Sequence, residues 1–98
     1  MSKDATPKPT SELVLEEANR IIHGERAQTY GPAEDSFARI GALWSAYLDV
    51  EVDAYDVAML MVLMKVSRAK NSPHHDSHVD IAGYAALAPR CALKARRS

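Results

Sequence analysis

Eight consecutive apolar residues, Val57 to Met64, lie near the middle of this 98-residue chain, and how they are buried constrains the fold more than any other feature. Asp53 is placed to cap a helix ahead of them and Asn71-Ser72-Pro73 to stop it, which together predict a helix over 54–70. A buried strand is the competing reading of such a run. It is disfavoured by Met59, Met61 and Met64 together with Leu60 and Leu63, none of them β-branched, and by the lack of a partner strand elsewhere. A helix that is apolar on every side belongs at the centre of its fold. Eight residues fall far short of the roughly 20 that a bilayer crossing requires, so no membrane partner is expected.

Three further helices can be laid around this one. Thr10 or Ser11 caps the first, with Glu12 in its opening turn, and Leu13, Val14, Ala18, Ile21 and Ile22 recur at the 3.6-residue period over 11–23. Pro32 suits the first position of a second helix over 32–48, in which Phe37, Ile40, Gly41, Trp44, Tyr47 and Leu48 form one apolar stripe. Ser77 is expected to cap a fourth over 77–88, ended by Pro89. The expected fold is all-α: about four helices, helix three central, in a single domain at 10–89. Residues 1–9, with two prolines and almost no large apolar side chain, are expected to form a flexible arm. Residues 90–98 carry Arg90, Lys94, Arg96 and Arg97 without an acid and are expected to fray as a basic tail.

Twelve basic and thirteen acidic residues give a net charge of −1, which demands neither a nucleic acid nor an anionic membrane as partner. The basic tail lacks the interleaved aromatics of a specific nucleic-acid binder. A lone cysteine, Cys91, excludes an intramolecular disulfide, and without a signal-like opening segment a reducing, cytoplasmic setting is expected. No GxGxxG or Walker A pattern occurs, and no serine triad can be argued from spacing.

Chemistry-bearing residues crowd where helix three gives way to helix four: Lys65, Arg68 and Lys70, then His74, His75, Asp76, His78 and Asp80. Lys65 and Arg68, three apart, share a helical face that can hold a phosphate. Asp76 and Asp80, four apart, can share a divalent cation through oxygen ligands. Asp56 on helix three is the third candidate ligand, since carboxylates on packed helices are a common way for bundles to hold metal. Each has a plain structural counterpart: Asp53 with Asp56, and Ser77 with Asp80, also fit capping boxes. His74 and His75, with His78, suit zinc or manganese, or simply a solvated turn. In the segment 24–31, Arg26, Thr29, Tyr30 and Gly31 could meet the polar groups of a ligand. Trp44, Phe37 and the methionines fall at helical spacing and read as packing residues.

The order Arg26, Tyr30-Gly31-Pro32, Phe37, Trp44, Asp56-Val57-Ala58, Lys65, Arg68, Asp76 and Asp80-Ile81-Ala82-Gly83-Tyr84 resembles a family of small helical proteins of phages and prophages. That family is similar to the nucleotide modification associated domain type one group, and the likeness covers about residues 12–88. More distantly the layout resembles the MazG-like all-α nucleoside triphosphate pyrophosphatases, whose acidic residues on two helices hold magnesium. Their pattern is Glu-x-x-Glu followed by Glu-x-x-Asp, where this chain has Asp53-x-x-Asp56 and Asp76-x-x-x-Asp80. Residues and resemblance together lead to the expectation of a phage-type protein in the host cytoplasm that binds a nucleotide or other phosphate-containing ligand. Arg26, Tyr30, Lys65, Arg68, His74, His75 and Tyr84 would line its site, and Asp56, Asp76 and Asp80 would hold Mg²⁺. If catalytic, it would be a metal-dependent nucleotide (pyro)phosphohydrolase. The alternative is a non-catalytic accessory protein that binds a host protein. Either reading predicts a homo-oligomer, because so apolar a helix three among three short helices leaves surface to cover.

Overall fold

A computed structural model describes residues 10–24 and 32–96. It contains α1 (Thr10–His23), α2 (Ala33–Leu48), α3 (Ala54–Ala69) and α4 (His75–Arg96), and no strand occurs among the described residues. The expected arm at 1–9 and the candidate residues Arg26, Thr29, Tyr30 and Gly31 lie outside them. The all-α, four-helix expectation holds, with α3 between α2 and α4.

The most extensive contact is the hairpin of α3 on α4. Its core is made of small and medium side chains: Ala54, Val57 and Ala58 of α3 meet Leu87, Ala88 and Cys91 of α4, with Phe37 of α2 closing one side. Val57 and Cys91 are the largest fully buried side chains. Alanines at such a contact let two helix backbones approach closely, and each aliphatic side chain buried there contributes about 1.5–3 kcal/mol. Burial also pushes the Cys91 thiol pKa up, the Glu34 carboxylate adding to the effect, so this cysteine packs rather than reacts.

Two expectations are corrected here. First, α4 starts at His75 rather than Ser77 and runs through Pro89 to Arg96. The cap belongs to His74, whose Nδ1 accepts from the Ser77 backbone N–H at 3.3 Å and lies 3.0 Å from the Ser77 hydroxyl. Second, residues 90–96 are helical rather than frayed. Proline costs an internal helix about 3 kcal/mol, but Cys91 just beyond it is fully buried, and Arg90 reaches Glu34 of α2 at 3.0 Å; burial offsets the lost backbone bond. As expected of so apolar a helix among three short ones, α3 packs against both α2 and α4 yet leaves apolar surface in solvent, its buried residues being Ala54, Val57 and Ala58. The three other helices are too few to surround it.

The α2–α3 connection is fixed by polar contacts at its two ends. Asp49 ends α2 in the left-handed conformation (φ 59°, ψ 38°), its N–H donating to the Ser45 carbonyl at 2.8 Å. The Ser45 hydroxyl accepts from Val52 N–H at 2.8 Å and lies 2.7 Å from the Gly41 carbonyl and 3.1 Å from that of Val52. Asp53 and Asp56 then form the reciprocal capping box that starts α3. Gly41 lets the connector lie against α2: a Cβ there would stand 2.7 Å from the Val52 carbonyl oxygen.

Two stability predictions follow from these contacts, both read as the midpoint of urea unfolding followed by circular dichroism. Gly41→Ala is expected to lose about 1–2 kcal/mol, because crowding of backbone outweighs the gain of roughly 1 kcal/mol in helix propensity; an unchanged midpoint would show that the connector can move aside. Asp53→Ala is expected to lose about 1 kcal/mol with the removal of the cap.

Candidate functional site

Among the described residues α1 packs on α4 and on no other helix, so α1 and α3 flank α4 without touching. The space between them is a cleft of about 590 Å³, within the range that holds small ligands. Its floor is α4, contributing Asp76, Val79, Asp80 and Tyr84; one wall is α1, with Glu17, Arg20 and Ile21, and Gly24 just after it; the other is Lys65 of α3. Val79 and Ala18 are buried beneath α1 and α4, and Gly83 is open enough for Ile22 to approach, its would-be Cβ standing 3.5 Å from the Ile22 side chain. Tyr84 also packs on Phe37, with ring centroids 6.1 Å apart, which ties the cleft to the core.

The charges of the cleft are mixed and arranged in pairs. Lys65 Nζ lies 2.9 Å from Asp80 Oδ2, with the lysine side chain only 15% exposed. Across the cleft, Arg20 pairs with Glu17 at 3.3 Å. Glu17 also meets His75, Nε2 to Oε2 at 2.8 Å, which fastens α1 to the first turn of α4. That hydrogen bond holds the Glu17 pKa below the usual carboxylate value, with the nearby Arg20 charge contributing. Asp76 makes no ion pair among the described residues, so it presents its carboxylate to the cleft. A smaller hollow beside Glu17, Arg20 and His75 is lined also by Leu13 and Glu16.

The geometry divides the residues singled out from the sequence. Lys65, Asp76, Asp80 and Tyr84 come together in the cleft. His75 stands at its edge, bound to Glu17, and His74 is taken up by capping α4. Arg68 is exposed on α3 and does not line the cleft. Asp56 does not join Asp76 and Asp80: its carboxylate accepts from Asp53 N–H at 3.0 Å, and nine residues of helix place it about 13 Å along the axis from Lys65. The three acids expected to hold one cation are therefore not assembled, and the capping reading of Asp56 is the one realised. No group of three or more His, Cys, Asp or Glu side chains among the described residues is arranged to hold a metal ion. Reading the sequence missed the wall formed by Glu17, Arg20 and Ile21. The Glu17 to Arg20 spacing of three was a visible helical ion pair, but nothing local indicated which helix it would face.

No described helix is long and apolar enough to cross a membrane, and no solved structure matches the chain. Over 81 residues the chain is 49% identical to the "Gene 55 protein" of Mycobacterium phage D29. Over 82 residues it is 45% identical to the "Gene 55 protein" of Mycobacterium phage L5. Each match covers 82% of this chain but 54% and 53% of those proteins, so the chain spans about half the length of the curated relatives it matches. Residues 13–92, which include every residue of the cleft, match the family described as "Domain of unknown function (DUF6378)", and the chain, which has these relatives in phages, belongs to that family.

Proposed function

We propose that the cleft binds a small phosphate-containing ligand, a nucleotide being the fitting class, and that a divalent cation enters with it. The observation that carries this reading is the meeting of Lys65 and Arg20 with Asp76 and Asp80 in one cleft of ligand size. Two cations without the acids would suit a bare phosphate. With the acids present, a bare phosphate is repelled, while a phosphate that carries its own cation satisfies both signs. Asp76 and Asp80 would face the cation, which would supply neutralisation of phosphate charge. Magnesium is commonly held in this way, by one or two carboxylates together with the phosphates. The donor set thus fits a cation brought by the ligand and does not fit a resident ion. Lys65 would exchange part of its contact with Asp80 for a phosphate oxygen, and Arg20 would close over the ligand from α1. No hydrolytic step is assigned. The resemblance to MazG-like proteins points to the same phosphate chemistry.

Isothermal calorimetry with nucleoside mono-, di- and triphosphates, with and without Mg²⁺, tests the proposal. Binding is expected in the presence of both components, with no heat from Mg²⁺ alone. Lys65→Ala and Asp76→Asn should each weaken it by about 10- to 100-fold with helical content intact, as loss of one charge-assisted contact does. Arg68→Ala, outside the cleft, should leave affinity within about twofold. Absence of heat for every nucleotide sinks the reading.

A further inference from the structure

Among the described residues the outer face of α3 has no partner. Ala54, Val57 and Ala58 point inward, whereas Leu60 is 42% and Leu63 62% exposed, and Met59, Met64 and Val66 share the same solvent-facing side. These five lie on successive turns of one helix and form a continuous apolar stripe. At the α2–α3 corner, Leu43, Tyr47, Leu48 and Val50 are exposed as well. We propose that this face is the two-fold interface of a homodimer, in which α3 lies antiparallel on α3 of a second copy.

Area and charge both identify the occupant. At roughly 120 Å² for a whole aliphatic side chain, the exposed fractions of the five α3 residues amount to on the order of 300 Å² of apolar surface, and the four at the α2–α3 corner bring the exposed apolar total to about 600 Å². The α3 stripe alone is already of the size of the largest patch on a typical monomer. A pairing that also covers the corner residues and a polar rim approaches the ~800 Å² per partner of a stable interface. The rim is self-complementary in one orientation. Asp49 and Glu51 are exposed just ahead of α3, Arg68 and Lys70 are exposed at its other end, and no charged residue stands between Asp56 and Lys65. An antiparallel pairing centred between Leu60 and Leu63 sets Leu60 on the partner's Leu63 and Met59 on the partner's Met64. It brings the acidic end of each copy to the basic end of the other, and two-fold symmetry makes both contacts at once. A parallel pairing would place like charges together. Lys65 points to the opposite side of α3, toward Asp80, so the cleft stays open in the dimer.

Analytical ultracentrifugation of the full chain up to about 100 μM decides the matter. The expected species has twice the 10.8 kDa chain mass. Leu63→Asp, at a position exposed in the single chain, should raise the dimer dissociation constant by roughly 100-fold or more while helical content is kept, since a charge is then buried on both sides of the two-fold axis. Glu51→Lys should also weaken the dimer, and adding Lys70→Glu to the same chain should restore it. A wild-type monomer at the highest concentration overturns the proposal and leaves the face to a different protein. A dimer indifferent to Leu63→Asp overturns it too. Should Leu63→Asp fail to fold, the charge reversals still decide: a double variant no tighter than Glu51→Lys alone refutes the antiparallel pairing.

Discussion

Close approach of α3 and α4 is the contact on which the remaining structure rests. It is made by residues too small to hold the helices apart, Ala54, Val57 and Ala58 against Leu87, Ala88 and Cys91. Three consequences follow from it. The buried Cys91 holds α4 helical beyond Pro89. Phe37 can close the end of the pair and bring α2 with it. The N-terminal half of α4 carries α1 on one side and the end of α3, with Lys65, on the other, and because α1 and α3 do not meet, a cleft opens between them rather than a filled interior. Packing set by small side chains tolerates little change of volume, so the position of the cleft is coupled to the core although no core residue need touch a ligand.

The cleft itself is held by pairs of opposite charge that each join two elements. Lys65 and Asp80 link α3 to α4, and Glu17 with His75 links α1 to α4. Exposed pairs of this kind contribute little to stability, about 0–1 kcal/mol each, so they orient more than they stabilise. The Lys65 pair is the more sheltered of the two, since its ammonium lies mostly out of solvent. Such an arrangement keeps charged groups in fixed positions at a surface where water is only partly excluded, which suits exchange of one ionic partner for another.

Much of the fold was readable because helical periodicity, caps and stops are local. The interruption at Asn71-Ser72-Pro73 and the Asp53 cap bounded α3 to within a residue. Local reading failed at α4, where a long-range effect overrode a local one: proline is a helix breaker by its own covalent geometry, and only the burial of Cys91 beyond it shows that the helix continues. It failed as well at Ser45 and Gly41, whose roles depend on Val52 folding back against them. For the candidate site, Lys65, Asp76, Asp80 and Tyr84 were identified because all sit around one junction. Glu17 and Arg20 were not, because their helix is more than forty residues away in sequence from that junction.

The sequence alone determined that the chain would make four amphipathic or apolar helices, where three of them would begin, and that acids and bases would crowd one end of α3. Only the tertiary structure decided which charges meet. Asp56 and Asp80 are both carboxylates on neighbouring helices, yet one closes its own backbone and the other reaches Lys65. It likewise decided which side of the all-apolar helix stays in water. The physical reason is the same in both cases: periodicity fixes the direction of a side chain about its own helix axis, whereas its neighbours are fixed by how far and at what angle the helices pack.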